Sequence, residues 1–221
     1  MLQAQIELML QSQQDYAGLS TDLRRAFNHI GRPQVFMLAT QLGLPEQLLH
    51  PWEKFLVQFV RRFDVMGNLG EPQPSTSGFP EGCPLSILAM LNVNWCYHVY
   101  MRAFCPAVIA YSFVDNLTLA AREALAVVQA YFALRTICSL FGLSTDDDKT
   151  YVWALHKASR DCLGQLGFPC LSDASELGGA MTYGISRRTR VLRQRGRSLQ
   201  PKWQKLKLAD VKCRPIDRFW F

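Results

Sequence analysis

Metal-ligand and disulfide patterns are missing from this sequence. Its seven Cys residues include no C-x-x-C pair, which argues against a disulfide framework and against a zinc knuckle. Its four His residues are scattered without ligand spacing, and no Ser-His-Asp arrangement can be argued from the order of residues. What remains is a set of reduced, mostly buried thiols, which is typical of an intracellular protein.

Charge is also missing from two stretches. The first 21 residues contain no Lys or Arg and no apolar block long enough for a signal peptide. No carboxylate or strong base lies between Glu81 and Arg102, a stretch of membrane-spanning length. Because this stretch contains a proline, two asparagines and a histidine, it favours a buried helix over a membrane span. We therefore expect a nuclear or cytoplasmic protein with no membrane partner.

The rest of the composition is that of an ordinary folded protein. With 221 residues, 49% of them hydrophobic and 19% charged, the chain is long enough for one domain with a sizeable core. The formal net charge of +6 is unevenly divided, because residues 187–221 contain 12 basic and two acidic side chains. We predict an acidic folded body over 1–186 and a basic C-terminal extension over 187–221, an asymmetry that indicates a polyanionic partner.

Six closely spaced arginines begin the basic extension. Such a run can neutralise backbone phosphates, which gives salt-sensitive binding that does not depend on base sequence. A disordered basic extension or a localisation signal is the other interpretation. The candidate nucleic-acid-binding residues are Arg187, Arg188, Arg190, Arg193, Arg195 and Arg197.

Hydrophobic spacing predicts an α+β fold, with helices packed on one face of a small antiparallel sheet. Helices are predicted over 2–14, 26–44, 46–63, 84–101 and 124–141, and strands over 16–23, 107–114, 117–119, 150–155 and 176–183. Residues 67–82 are rich in Gly, Pro, Ser and Thr and are predicted to be loop, with a strand on either side left open. Two apolar runs separated only by Asp115-Asn116 predict a tight β-hairpin.

Two carboxylates follow from this arrangement as candidate catalytic groups. Asp22 ends an apolar strand and Asp115 lies at the tip of the hairpin, so both emerge at one edge if their strands are neighbours. Two such oxygen ligands suit Mg²⁺ when a substrate phosphate completes the coordination, as in two-metal phosphoryl transfer. The alternative is that Asp115-Asn116 is an ordinary turn and Asp22 a solvated strand end.

Five segments in the expected order resemble motifs of the reverse transcriptase palm domain, especially that of non-LTR retrotransposons. They are Asp22-Leu23-Arg24-Arg25-Ala26-Phe27-Asn28, Gly78-Phe79-Pro80-Glu81-Gly82-Cys83-Pro84-Leu85-Ser86, Phe113-Val114-Asp115-Asn116, Phe141-Gly142-Leu143-Ser144 with Lys149-Thr150, and Leu177-Gly178-Gly179. The resemblance covers roughly residues 16–190. It implies a polymerase palm whose small antiparallel sheet carries the metal-site hairpin, with a truncated, degenerate sequence.

The resemblance also implies a metal site and its partners. Two ions, Mg²⁺ or Mn²⁺, are expected on Asp22, Asp115 and Asn116, with Lys149 as candidate general acid for the pyrophosphate leaving group. A solvated lysine is the alternative interpretation of Lys149. The implied partners are an RNA or DNA template-primer and deoxynucleotides.

Four further positions are implied to contact the nucleotide. The Phe27 ring would lie beneath the incoming sugar, where a 2′-hydroxyl would clash, although a core aromatic is the alternative. Gly78 and Gly82 would let the backbone approach the nucleotide closely. Glu81 stands where the family has glutamine, which places an anion near the triphosphate.

Departures from the family leave two functions open. The second hairpin aspartate is Asn116, which brings no charge to a metal, and Asn28 and Cys83 replace commonly acidic residues. Only 21 residues precede Asp22, so the fingers subdomain is expected to be lacking. The chain is therefore either an RNA-directed DNA polymerase-like domain or a catalytically inactive palm remnant that binds nucleic acid through its basic tail.

Overall fold

Helices alternate with short strands along the chain. The computed structural model describes residues 2–176 and 179–182. Within this part, the helices are α1 (Leu2–Gln11), α2 (Ala26–His29), α3 (Arg32–Gln41), α4 (Glu46–Gln58), α5 (Pro84–Phe104), α6 (Ala124–Leu140) and α7 (Lys157–Gly164). The strands are β1 (Ala17–Leu23), β2 (Val60–Arg61), β3 (Asp64–Val65), β4 (Asn68–Leu69), β5 (Gln73–Pro74), β6 (Ile109–Phe113), β7 (Asn116–Ala121), β8 (Thr145–Ala154), β9 (Asp173–Glu176) and β10 (Gly179–Thr182).

A four-stranded antiparallel sheet of order β6-β7-β1-β8 is the centre of the molecule. Helices α5 and α6 cover one face, where the main core includes Leu19, Leu119 and Val152. This confirms the predicted α+β class with its small antiparallel sheet. Helix α1 lies on the opposite face, where Ile6 packs with Trp153. The strands can therefore be apolar on both faces, and β1 is buried along almost all of its length.

The helix predicted over 26–44 is wrong in one respect, because it is two helices, α2 and α3. Pro33 has no N–H to donate to the carbonyl of His29, so the helical hydrogen bonds cannot run through this point. Ile30 leaves the helical conformation with ψ 125°, and the N–H of Gly31 donates to the Phe141 carbonyl. The chain therefore turns just after the first predicted motif.

The helix predicted over 46–63 ends at Gln58, and a β-ribbon follows where helix and loop were predicted. Strand β2 pairs with β5, and β3 pairs with β4. Met66 and Gly67, between β3 and β4, both have positive φ, which is the pattern of a type I′ hairpin turn. This turn lies where the predicted loop begins, and hydrophobic spacing alone does not reveal a hairpin there.

Strand β8 begins five residues earlier than predicted, at Thr145. The acidic run Asp146-Asp147-Asp148 is part of this strand, and Asp146 pairs with Asp22 at the end of β1. Tertiary pairing of this kind overrides the low intrinsic β-propensity of Asp. The strand predicted over 176–183 is instead divided between β9 and β10, an antiparallel pair.

Helix α5 occupies the uncharged stretch that had the length of a membrane span. It begins at Pro84, as predicted, and buries Asn92 and Asn94. Among the described residues, no helix combines the length and the apolar character needed to cross a membrane.

Candidate active site at the tip of the central hairpin

The β6–β7 hairpin ends in a two-residue turn beside the end of β1. Phe113 pairs with Asn116 across the hairpin, so the turn is Val114-Asp115 rather than the predicted Asp115-Asn116. Asn116 belongs to β7, where it pairs with Asp22. The N–H of Leu23 donates to the Asp115 carbonyl oxygen at 3.0 Å. The structure therefore brings Asp22 and Asp115 together at one end of the sheet.

Burial and the neighbouring charge of Asp22 perturb the Asp115 carboxylate. Partial burial raises the pKa of Asp115, the negative charge of Asp22 raises it further, and Lys149 opposes the shift. Asp22 is only 14% exposed, and its Oδ1 atom is buried without a hydrogen-bond partner in the described part of the chain. A buried, unpartnered carboxylate oxygen beside a second carboxylate is a donor set that fits a hard divalent cation.

Asp146 also lies beside this pair, and it was not predicted. The antiparallel register places Asp146 opposite Asp22 on one side, while Asn116 is opposite on the other. Directly paired residues project on the same face of a sheet, so the three form a polar cross-strand row. Asp146 was missed because this strand was predicted to begin only at residue 150. Nevertheless, within residues 2–176 and 179–182 no group of three or more His, Cys, Asp or Glu side chains is arranged to hold a metal ion.

Lys149 is the counter-ion of Asp22. Its Nζ donates a hydrogen bond to Asp22 Oδ2 and lies 3.9 Å from Asp146 Oδ2. The hydrogen bond and the charge of Asp22 raise the pKa of Lys149, which weakens it as a proton donor near neutral pH. A general-acid role for Lys149 stays a prediction, and it requires the ammonium to leave Asp22.

The second predicted motif packs backbone to backbone on the first. A Cβ on Gly78, which has φ +67°, would lie 2.4 Å from the carbonyl oxygen of Asn28. The N–H of Phe79 donates to the carbonyl of Phe27 at 2.6 Å, and the Phe27 ring lies half-buried against the core. Gly78 is thus required for the close approach to Asn28, and its nucleotide contact stays a prediction. Gly82 faces open space at φ +83°, and its nucleotide contact stays a prediction.

Two departures from the family pattern are bonded to each other. Asn28 Nδ2 donates to Glu81 Oε1 at 2.8 Å, and Arg61 Nη1 donates to Asn28 Oδ1 at 3.0 Å. The amide therefore links the carboxylate to a cation, which reduces the repulsion that Glu81 would exert on a nearby phosphate. Nothing in the sequence indicated these linked hydrogen bonds, because Arg61 fell within a predicted helix.

Arg32 joins α3 to the segment that precedes the second motif, and sequence reasoning missed it. Its guanidinium donates to the carbonyls of Leu56, Ser75, Ser77 and Gly78 and to the Ser75 hydroxyl. Partial burial and the nearby Arg61 lower the pKa of Arg32. A guanidinium stays protonated in proteins, so Arg32 holds this segment against α4 at any ordinary pH.

The remaining predicted positions lie outside the described residues. These are Leu177-Gly178 of the last motif and the basic extension with Arg187, Arg188, Arg190, Arg193, Arg195 and Arg197.

Comparisons with solved structures agree with this fold. A telomerase from Candida albicans, in complex with a TWJ fragment of telomeric RNA, is similar with a TM-score of 0.61 and 13% identity over 92% of this chain and 38% of that one. Apo telomerase from Candida tropicalis, truncated from its C-terminal domain, gives 0.55 and 8% over 82% and 38%. The C. tropicalis enzyme with a TWJ fragment gives 0.53 and 8% over 68% and 29%. This chain thus spans little more than a third, or less, of each.

Sequence comparison assigns the family. No curated protein matches the chain. The family model described as reverse transcriptase (RNA-dependent DNA polymerase) matches residues 2–170, which include both candidate carboxylates and most of the described fold. This chain belongs to the reverse transcriptase family.

Proposed function

We propose that the chain is a reverse transcriptase palm, of the non-LTR type that its motifs resemble, which extends a DNA primer by two-metal nucleotidyl transfer. The observation that carries the proposal is the juxtaposition of Asp22 and Asp115 at the sheet end, where the Leu23 N–H donates to the Asp115 carbonyl and Asp22 Oδ1 is buried and unpartnered. A divalent cation relieves both the repulsion and the missing hydrogen bond. The pair is otherwise an unfavourable arrangement to keep in a folded protein.

Each residue of the site has a proposed task. Asp22 and Asp115 would hold Mg²⁺ or Mn²⁺, and Asn116 would offer an uncharged oxygen at the same strand end. Such ions, when bound, stabilise negative charge on the attacking and leaving oxygens. Lys149 is released from Asp22 and donates a proton toward the pyrophosphate, while Phe27 selects the deoxyribose.

The proposed partners are an RNA or DNA template-primer and deoxynucleotides. Membership of the family and the RNA bound to the similar Candida telomerases support a nucleic-acid template. The six arginines of the basic extension are proposed to bind backbone phosphates.

Primer extension tests the proposal. The wild type should extend a DNA primer on an RNA template with deoxynucleotides and Mg²⁺ or Mn²⁺, and Asp22→Ala should not, because it removes the buried ligand oxygen. Asp148→Ala is the matched control, since this carboxylate is exposed on the same strand as Asp146. An extension product that Asp22→Ala leaves unchanged contradicts the catalytic assignment, as does a wild type that extends no primer.

A second function is favoured by the neutral side chain at Asn116 and by the pairing of Lys149 with Asp22. In this case the chain is an inactive palm that binds RNA through its basic extension. The RNA affinity of the wild type should then fall about a thousandfold between about 50 and 200 mM salt. Replacing the six arginines with Gln should abolish this affinity. Asp22→Ala should leave that affinity unchanged. RNA affinity that survives removal of the arginine charges excludes this role, as measured by fluorescence anisotropy.

A further inference from the structure

Asn94 is a buried polar residue in contact with the catalytic hairpin. It lies in the middle of α5, and its side chain is directed at the hairpin tip. Its Nδ2 donates to the carbonyl oxygen of Val114 at 3.0 Å. Val114 immediately precedes Asp115, so this contact couples α5 to the residue that carries the carboxylate.

The turn that Asn94 contacts is strained. Val114 has φ +56°, a region that β-branched residues rarely adopt because Cβ crowds the backbone. The next residue, Asp115, does not have a positive φ. A positive φ at only the first central position is the pattern of a type II′ turn, where Gly is usual. Strain of this kind persists only where the surroundings hold it in place.

Asp115 is held from two sides. The Val114 carbonyl accepts from Asn94 on α5, and the Asp115 carbonyl accepts from the Leu23 N–H at the end of β1. Leu23 directly follows Asp22. The same pair of hydrogen bonds therefore sets where the Asp115 side chain stands relative to the Asp22 carboxylate.

We propose that Asn94 is a positioning residue: its amide holds the strained Val114 turn, and so keeps Asp115 beside Asp22. The inference deepens the proposed function and rests on it as far as metal binding by the two carboxylates is concerned. Asn92 offers a matched comparison, since it is equally buried on the same helix but its Nδ2 has no hydrogen-bond partner in the described residues.

Amide hydrogen exchange tests the positioning without any metal. Asn94→Leu keeps the approximate size of the side chain and removes the donor, so the turn should relax and the Leu23 amide should exchange about tenfold faster. Asn92→Leu should change this rate less than twofold. Equal effects of the two substitutions, or no effect of Asn94→Leu, overturn the proposal. Asn94→Ala is the second variant if Asn94→Leu does not fold.

Manganese binding and a rescue variant separate positioning from packing. Asn94→Leu should weaken Mn²⁺ binding about 10- to 100-fold, as the loss of an outer-sphere partner does. Electron paramagnetic resonance of the free Mn²⁺ ion measures the affinity. Adding Val114→Gly, which adopts the turn without strain, should restore most of the affinity. Failure of this rescue overturns the proposal. A wild type that binds no Mn²⁺ contradicts the proposed function, while the exchange result still decides the role of Asn94.

Discussion

Asp115→Asn is expected to stabilise the fold and to weaken metal binding strongly. Burial and the Asp22 charge raise the pKa of Asp115 above the ordinary Asp value of 3.8, so the ionised carboxylate destabilises the native state. Replacing it with a neutral isostere should raise the free energy of unfolding at neutral pH by about 1 kcal/mol, a gain typical of relieved functional sites. Chemical denaturation measures the difference.

The pH dependence of this effect has a defined sign. Because the folded pKa is raised, the folded state binds a proton more readily than the unfolded state, so the destabilisation is present above the folded pKa. It is lost as the pH falls through that value toward 3.8. The stability of the wild type and Asp115→Asn should therefore converge in acid. A variant that is less stable than wild type at pH 7 contradicts the argument.

The same substitution should reduce Mn²⁺ affinity by more than about a hundredfold, because loss of an outer-sphere partner alone costs up to about that much. Asp148→Asn provides the control, since that carboxylate is exposed on β8. It should change neither metal affinity nor stability appreciably. Equal metal affinity in Asp115→Asn and wild type excludes Asp115 as a ligand.

Arg32→Met is expected to destabilise the protein more than any surface substitution. The substitution keeps much of the side-chain volume and removes every hydrogen bond to the four carbonyls and the Ser75 hydroxyl. Bonds from charged donors contribute about 1.5–3 kcal/mol each when buried, but they are not additive, and Arg32 is partly exposed. We therefore expect the free energy of unfolding to fall by about 3 kcal/mol, which lowers the melting temperature by about 6–12 °C in a chain of this size.

Two comparisons isolate the role of the guanidinium. Arg32→Lys should recover only a small part of the stability, because one ammonium cannot reach acceptors spread over both α4 and residues 75–78. Arg62→Met, at an exposed neighbouring arginine, should change the melting temperature little. Comparable losses at Arg32 and Arg62 would show that the effect is one of net charge rather than of hydrogen bonding.

The departures at Asn28 and Glu81 have a structural explanation that position-by-position comparison misses. Read one at a time, each is a departure from the motif that it resembles. In the fold Asn28 bonds to both Glu81 and Arg61, so the set must be changed together to be tested. A single substitution at any of the three leaves an unpaired group and does not measure the effect of the anion on nucleotide binding.

The local patterns of this sequence determined what depends on neighbours along the chain. Apolar runs predicted the hairpin that carries Asp115, and a long apolar stretch opened by a proline predicted α5. The spacing of apolar residues predicted α6, and the order of short motifs indicated the reverse transcriptase family. These signals are reliable because strand alternation and helical periodicity are properties of a few consecutive residues. Even so, the predicted hairpin turn lies one residue later than the turn in the structure.

Only the tertiary structure decided which groups meet. The pairing of β1 with β7 and β8 places Asp22 against Asn116 and Asp146, and it makes strand of an acidic run that local propensity reads as turn. Packing of α5 against the hairpin brings Asn94 to Val114. The physical reason is that strand register and helix packing follow from the burial of the whole core, whose partners lie far apart in sequence.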